Sequence, residues 1–411
     1  MVRPLVSSML SGRNGAMHAV RVASREPLRT TTGSENEQLL YFTSTSLSDD
    51  ARSLVVIVGG PDGAFNLASY DLQSGARRML TSHAPGYLKS YVYFDGQPYT
   101  GFGRASVSFD SARRVLYYVH GRHLMAAELD GGLPRMLAEL PDDQVTAFTH
   151  VSADGAQLCV PTTDARALAD DVLAGDYATG IDETVQREGL YSFLNIFDAE
   201  TGASICNEPV ERAWVTHVQF SPATTDYVVY NHEWPADCGI RRVWLWDRSV
   251  ELQIRMRPES AERSREDWAC HETWERDGSH IIYHGGYRND GPAFIGRVSP
   301  ETGRIEEIAF PAKYTPYGHF TTGRPGWLVT DGYYVSETGK IPGNWLTLLH
   351  VDWDNHAVEW YPLCPTGSSW RSQDAHPHPI FDGAGTTVYF TSDADGKLAV
   401  YKVDVSDIVD E

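Results

Sequence analysis

The stretch FDGAGTTVYFTSDADGKLAVYKVD, residues 381–404, contains the pattern that decides the fold. An Asp-Gly turn precedes an apolar run, Thr387–Thr391, and a second turn precedes another run that ends at Asp404. Short runs rich in β-branched and aromatic residues between Gly and Asp turns are typical of β-strands. The stretch therefore predicts a strand hairpin, and no long segment of the chain has the 3.6-residue period of a helix.

The same pattern occurs in six earlier segments of the chain. These segments are residues 48–75, 108–131, 152–198, 221–247, 276–303 and 327–352. Seven units of roughly 50–60 residues each match the size of a four-stranded propeller blade with long loops. We therefore expect an all-β protein, a single seven-bladed β-propeller over residues 35–411, preceded by a loose N-terminal arm over residues 1–34.

Composition and charge exclude several classes of partner. The chain has 411 residues, 42% of them hydrophobic, and a formal net charge of −21 with a pI near 5.1. Neither nucleic acid nor an anionic membrane is attracted to such a surface. The five cysteines are scattered without a C-x-x-C pair, and we read neither a signal peptide nor a membrane span, so we expect a cytoplasmic protein. The oligomeric state is not determined by these features.

Several common enzyme signatures are absent from the sequence. There is no G-x-S-x-G nucleophile motif, no phosphate-binding Walker loop and no Rossmann fingerprint. The segment His271-Glu272-Thr273-Trp274-Glu275 begins like the zinc motif H-E-x-x-H, but Glu275 stands where the second zinc ligand is required. A zincin-type protease is therefore excluded.

The segment Gln373-Asp-Ala-His376-Pro377-His378 carries the strongest chemical signal. Two histidines at i and i+2 of an extended segment point to the same face, and Pro377 disfavours a helix. Neutral imidazoles bind transition metals, and Gln373 offers an amide oxygen. The alternative is that the histidines only cap a β-turn.

Further histidines occur in other repeats, at positions 217, 232, 271 and 319. A propeller brings equivalent positions of successive blades around one axis, so residues about fifty apart can meet there. Each histidine alone is more typical of a structural role, but together they indicate a site.

These residues carry a resemblance to a known family. The run Ser369-Trp370-Arg371 through Gln373-x-x-His376-Pro-His378-Pro, followed by Phe390-Thr-Ser-Asp393, resembles the oligogalacturonate lyases of polysaccharide lyase family 22. The remaining matches lie elsewhere in the chain, at Gly121-Arg122-x-Leu124-Met125, Trp214-x-x-His217, Arg242-x-Trp244 and Cys270-His271-Glu272-Thr273-Trp274. The similarity spans about residues 38–404.

The resemblance implies a metal-dependent lyase that cleaves short oligogalacturonides, small acidic oligosaccharides from pectin, by β-elimination to an unsaturated uronate. It implies a divalent metal, manganese, bound by four residues: His319, Gln373, His376 and His378. The base would be His271 and the active-site arginine Arg242, although the adjacent Arg241 leaves that alignment open by one position.

Other candidate residues and functions stay open at this stage. Arg371 is a candidate for binding a second substrate carboxylate, or forms a salt bridge at a blade edge. His217 and His232 are candidates for substrate binding, although Asn231-His232-Glu233-Trp234 departs from the family's H-E-G-P, and residues 91–99 look like an insert. A hydrolase or epimerase on a related sugar acid, or a non-catalytic propeller, are the alternative functions. The exact uronate, its chain length and the native metal are not determined by the sequence.

Overall fold

The structure of the protein is a computed structural model. It describes residues 5–11, 17–59, 64–84, 107–169, 177–233, 242–257, 268–287, 292–311, 318–332, 345–371 and 373–410. The predicted insert at residues 91–99 and Arg241 lie outside these ranges. Within them, β-strands dominate, and there are two α-helices, α1 (Tyr177–Glu188) and the short α2 (Ser406–Val409).

The N-terminal residues form three strands before the first complete blade. These are β1 (Leu5–Ser11), β2 (Met17–Val22) and β3 (Leu28–Arg29).

The chain divides into two compact units, and the unit of residues 33–264 contains four antiparallel sheets. Blade 1 consists of β4 (Asn36–Gln38), β5 (Ser53–Gly59), β6 (Phe65–Asp71) and β7 (Arg77–Met79). Blade 2 consists of β8 (Ser108–Asp110), β9 (Val115–His120), β10 (His123–Glu128) and β11 (Arg135–Glu139). Blade 3 consists of β12 (Gln144–Thr146), β13 (His150–Val151), β14 (Gln157–Asp164), β15 (Tyr191–Asp198) and β16 (Ser204–Glu211), with α1 between β14 and β15. Blade 4 consists of β17 (Val218–Phe220), β18 (Tyr227–Asn231), β19 (Val243–Asp247) and β20 (Leu252–Arg255).

The unit of residues 1–32 and 265–411 contains the other three sheets. Blade 5 consists of β21 (Trp268–Trp274), β22 (Ile281–Gly286), β23 (Ala293–Val298) and β24 (Ile305–Ala309). Blade 6 consists of β25 (Phe320–Thr322), β26 (Trp327–Thr330), β27 (Trp345–Asp352) and β28 (Ala357–Pro365). Blade 7 consists of β29 (Ile380–Phe381), β30 (Thr387–Ser392) and β31 (Ala399–Asp404), with β3 as its fourth strand. The seven sheets confirm the predicted all-β, seven-bladed propeller.

The N-terminal strands differ from the expected loose arm. Strand β2 pairs in parallel with β28 and is followed outward by β1, and β3 pairs antiparallel with β31. Val20 of β2 is buried in the apolar cluster that also contains Trp360 and Phe310. The pairing of β2 and β3 depends on partners more than 300 residues away, which the local sequence does not indicate. That the propeller over residues 35–411 forms a single domain remains a prediction.

Apolar clusters between neighbouring blades hold each unit together. In the run Leu54-Val55-Val56-Ile57-Val58 of β5 every residue is buried, because both faces of the blade are covered. Val55 and Ile57 pack with Leu116 and Tyr118 of the next blade, and the equivalent contacts join blades 2 to 3, 3 to 4, 5 to 6 and 6 to 7. This continuous packing explains why the strands read as apolar runs rather than strict alternations.

The turns between the outer strands explain the recurring Asp and Gly residues. In D-L-Q-S-G, the Oδ1 atom of Asp71 accepts a hydrogen bond from the backbone N–H of Ser74 at 2.7 Å, and Gly75 follows with φ +73°. In D-A-E-T-G, Asp198 accepts from the N–H of Thr201 at the same distance, and Gly202 has the same φ. Asx turns that end in a left-handed residue favour these two residue types. None of the helices in the described ranges is long and apolar enough to cross a membrane.

Candidate metal centre and active site

The predicted metal ligands lie at the starts of the first strands of adjoining blades. His319 directly precedes β25, and His376 and His378 lie four and two residues before the start of β29. Strand β25 contacts both β29 and β21, the strand that contains His271. The propeller therefore brings together residues that lie up to about a hundred positions apart in sequence, as expected for first strands around one axis.

Three imidazoles form a compact, buried cluster. One ligand atom from each of His319, His376 and His378 lies within 4.8 Å of the other two, and all three residues are buried. The ring centroids of His319 and His378 are 3.8 Å apart, and those of His319 and His376 are 5.4 Å apart. At this spacing one ligand atom from each ring could bind the same metal ion.

Asp331, which the sequence analysis did not single out, fixes this cluster. Its carboxylate accepts hydrogen bonds from the backbone N–H groups of His319 at 2.6 Å and His378 at 3.0 Å. The second carboxylate oxygen also lies 3.2 Å from Nδ1 of His319. A carboxylate at Nδ1 leaves Nε2 of that ring to bind a metal, as is usual for metal-ligating histidines. In the sequence, Asp331-Gly332 has the composition of a turn and carries no separate signal of this role.

The backbone at His378 differs from the predicted extended segment. His378 has φ +45°, in the left-handed region, and its Nδ1 lies 3.1 Å from the carbonyl oxygen of His376. The two rings do converge, with centroids 5.7 Å apart, but this requires the left-handed residue and not only the i, i+2 spacing. Such backbone strain in a non-glycine residue is characteristic of functional sites.

Gln373 begins a 3-10 turn, Gln373–Ala375, just before the histidine pair. Its side chain lies outside what the structure describes, so its place as fourth ligand stays a prediction. Trp370, with φ +57°, packs against His376: the ring centroids are 4.3 Å apart.

His271 lies against the imidazole cluster. Its ring centroid is 4.5 Å from that of His319, and its Nδ1 lies 2.8 Å from Nε2 of His284 on strand β22. The register of β21 and β22 shifts by one residue between Cys270 and Thr273, and His271 has φ +54°. A β-bulge of this kind re-aims a side chain out of the normal alternation.

The donor set of the cluster fits a divalent transition metal. Three imidazole nitrogens suit ions such as iron, nickel or zinc, whereas calcium prefers an all-oxygen set. A second group, Cys270, His271 and His284, also has ligand atoms within 4.8 Å of one another. A thiolate with two imidazoles is a softer set than the first and would favour zinc over manganese.

Arg242, in the unit of residues 33–264, forms a buried ion pair with Glu233. The distance between Nη1 and Oε1 is 2.8 Å, and both side chains are almost fully buried. The other carboxylate oxygen of Glu233 accepts from the hydroxyl of Thr216 at 2.6 Å and the amide of Asn231 at 2.8 Å. The guanidinium is therefore held in one orientation. In the sequence, Glu233 is visible only as part of the departure Asn231-His232-Glu233-Trp234 from the family pattern.

His217 adjoins this network. Its Nδ1 is 2.8 Å from the Thr216 hydroxyl and 3.5 Å from Nη2 of Arg242, and its Nε2 is 3.4 Å from the Tyr41 hydroxyl. Its ring stacks on Phe148 at 4.3 Å with an interplanar angle of 14°. The Nδ1 edge of the His217 ring thus lies next to a cation, and one face of the ring packs on an aromatic side chain.

His232 is placed differently, in an apolar stack. Its ring lies parallel to Trp244, with centroids 4.6 Å apart, and near Tyr230. Burial lowers the pKa of His232 from 6.5 to about 3, so the ring is neutral at pH 7. Arg371, in contrast, is exposed, and its guanidinium forms no salt bridge with any of the residues that the structure describes. The alternative role of Arg371, a salt bridge at a blade edge, is therefore not observed there.

Comparison with known proteins supports the family resemblance, although no family model matches the chain. The oligogalacturonate lyase of Dickeya dadantii is 24% identical over 387 residues, and the oligogalacturonide lyase of Pectobacterium atrosepticum is 24% identical over 398. Each alignment covers 90% of this chain and 90% of the relative. The resemblance to the oligogalacturonate lyases is confirmed. A solved structure, an oligogalacturonate lyase in complex with manganese, matches 100% of this chain and 98% of its own with a TM-score of 0.74 at 20% identity, which shows the shared fold.

Proposed function

We propose that this protein is a divalent-metal-dependent lyase that cleaves short oligogalacturonides by β-elimination and releases an unsaturated uronate. The lyase class rests on the two curated relatives, which match over nearly their whole length. The observation that carries the chemistry is the contact of His271 with the cluster of His319, His376 and His378. It puts a candidate base directly beside a candidate metal centre.

The ligands of the metal are His319, Gln373, His376 and His378, and manganese is the proposed ion because the similar solved structure is a manganese complex. A bound divalent cation would neutralise the uronate carboxylate and so acidify the neighbouring C5–H. Asp331 orients the ring of His319, and its bonds to both backbone N–H groups hold the two halves of the ligand set in register.

His271 is the proposed base. A neutral imidazole near pH 7 takes the C5 proton, and the electron pair of the C5–H bond forms the double bond between C4 and C5. The bond from C4 to the glycosidic oxygen then breaks, and the leaving oxygen gains a proton. The left-handed backbone at His271 is consistent with a side chain that the fold holds for chemistry.

The cationic residues and histidines singled out by the similarity to the oligogalacturonate lyases are proposed to bind the substrate. Arg242 would bind a carboxylate, with its planar guanidinium oriented by Glu233, and Arg371 would bind a second one. His217 and His232 are candidates for hydrogen bonds to sugar hydroxyls. We further propose a cytoplasmic protein that has no nucleic-acid or membrane partner and whose catalytic domain is the single propeller of residues 35–411.

The direct test is to incubate the purified protein with galacturonate oligomers of defined length, with and without a chelator, and to follow the ultraviolet absorbance of the unsaturated product. We expect absorbance that depends on the metal and returns when manganese is added. Cleavage without a chromophore would indicate a hydrolase, and isomerised but uncleaved sugar an epimerase. No turnover and no bound metal would indicate a non-catalytic binding module.

A further inference from the structure

His284 is a buried histidine that has no role in the reaction proposed above. Its Nε2 lies 2.8 Å from Nδ1 of His271, and the two rings are nearly parallel, with an interplanar angle of 26° and centroids 5.0 Å apart. His284 is 1% exposed, so this contact is made in the interior. Because the proposed base and a second imidazole share one hydrogen bond, the tautomers of the two rings are linked.

The chain builds this contact with a specific backbone irregularity. Cys270 is the direct partner of His284 in the β21–β22 ladder, so His271 would point to the opposite face in a regular strand. The extra residue of the bulge and the φ of +54° at His271 bring its ring to the side of the sheet on which His284 lies. This geometry is unfavourable for a non-glycine residue unless the surroundings impose it.

The ring of His284 is itself fixed by its neighbours. The indole of Trp268 and the ring of Phe320 pack edge-on against it, with centroids 5.6 Å away in each case. The next residue, Gly285, leaves no space for a Cβ atom, which would lie 2.0 Å from the carbonyl oxygen of Trp268. A rigid acceptor is therefore available to His271.

The chemistry of a base determines the direction of the hydrogen bond. For His271 to take a proton on Nε2, the neutral ring must carry its own proton on Nδ1. That Nδ1–H then donates to Nε2 of His284, which must be unprotonated. After proton transfer, the same bond holds the His271 imidazolium in place, as a carboxylate does in a hydrolase triad.

We propose that His284 is a positioning residue that accepts the Nδ1–H of His271 and thereby fixes the tautomer in which Nε2 is the base. This inference rests on the proposed function, in which His271 abstracts the proton. It names a residue outside the motif that carries the resemblance, and it explains why a histidine stands in the otherwise apolar run Ile281-Ile282-Tyr283 of β22.

The test compares His284→Gln with His284→Leu in the full-length, metal-loaded protein. The amide oxygen of glutamine can accept a hydrogen bond near the position of Nε2, whereas leucine fills similar volume without an acceptor. We expect His284→Leu to lose roughly 10²-fold in kcat, with KM and metal content unchanged, because a misplaced catalytic group costs about that much. We expect His284→Gln to restore most of kcat. His280→Gln, a change of the partly exposed histidine just before β22, is the matched control and should behave like wild type.

A second readout does not depend on activity. Selective ¹⁵N labelling of histidine, with a diamagnetic divalent ion bound, reports which ring nitrogen of His271 carries the proton, and His271→Asn assigns the signal. We expect the Nδ1–H tautomer in wild type and His284→Gln, and its loss in His284→Leu. If wild type degrades no uronate, the proposed function fails, yet the tautomer measurement still decides the pairing.

Three outcomes would overturn the inference. The first is a His284→Leu variant with normal kcat. The second is an Nδ1–H signal of His271 that persists in that variant. The third is a second equivalent of metal in wild type that both His284→Gln and Cys270→Ser lose, because the pair would then be part of a metal site rather than a hydrogen-bonded dyad.

Discussion

The carboxylate of Asp331 accepts the backbone N–H of His319 at 2.6 Å and lies 3.2 Å from Nδ1 of the same ring. It therefore fixes both the main chain and the tautomer of one proposed ligand. Through the N–H of His378 it also connects blade 6 to the histidine pair of blade 7. The candidate metal centre is organised around this one buried carboxylate.

Changing Asp331 to Asn should weaken metal binding by about 10- to 100-fold, the usual effect of removing a carboxylate behind a metal-bound histidine. The amide keeps the size of the side chain but cannot accept all three hydrogen bonds. Calorimetric titration of the metal-free protein with manganese measures the effect. Asp352→Asn, a change in an exposed turn of the same unit, should bind manganese like wild type. Equal affinity in both variants would show that Asp331 has no role at the metal.

Alanine substitution of a proposed metal ligand and of the proposed base should have different effects on metal content and activity. Without His319, His376 or His378 the protein should lose both metal and activity, because the cluster supplies the donor atoms. Without His271 it should keep the metal and lose roughly 10²-fold or more in kcat. Metal analysis of each purified variant, together with turnover on galacturonate oligomers, separates the two classes. Near-normal turnover of His271→Ala would move the search for the base to His217 and His232.

Glu233→Gln should destabilise the protein by about 3–5 kcal/mol, the range found when one partner of a buried ion pair is removed. Arg242 would keep its charge in the interior without the carboxylate that balances it. Urea unfolding followed by tryptophan fluorescence measures the change. Glu211→Gln, at an exposed position, serves as the control and should unfold at the wild-type midpoint. An unchanged midpoint for Glu233→Gln would mean that solvent or another group compensates the guanidinium.

His232 should make the protein less stable in mild acid. Its pKa is about 3 when folded and near 6.5 when unfolded, so between these values the unfolded chain binds the additional proton. Stability therefore falls as the pH is lowered through this window, by about 1.36 kcal/mol per pH unit for one such group. His232→Phe should lose about 2 kcal/mol less than wild type between pH 7 and pH 5. Urea unfolding at both pH values measures this difference, and identical losses would show that the ring is protonated or solvated in the folded protein.

Deleting residues 1–32 should lower stability strongly or prevent soluble expression. This deletion removes β2, which pairs with β28, and β3, which completes blade 7. Deleting residues 1–16 removes only β1 and the residues around it, and should have a much smaller effect. Thermal unfolding of both truncated proteins measures the difference. If the longer deletion is harmless, the segment is a loose arm, as the sequence suggests.

The sequence was sufficient to predict the strands and the types of residue that could bind a metal. Runs such as Leu54–Val58 between Asp and Gly turns specify β-structure locally, because burial of both faces selects apolar β-branched residues. Their sevenfold recurrence specifies the number of blades. The histidines at 376 and 378 are close in sequence, so their proximity was also predictable, whereas the left-handed backbone at His378 was not.

Only the tertiary structure decided which residues from separate segments of the chain come into contact. Asp331 and His284 have no local signal that distinguishes them from a turn residue and a buried strand residue. Their roles arise because adjacent strands of one blade place Asp331 beside His319 and His284 beside His271. Packing between blades then brings His271 against His319 and Asp331 against the backbone of His378. The left-handed backbone at His271 and His378 and the pairing of β3 with β31 are likewise maintained by long-range packing. Residue type and local pattern thus determined the fold and the chemistry available to it, whereas packing between blades determined which groups can act together.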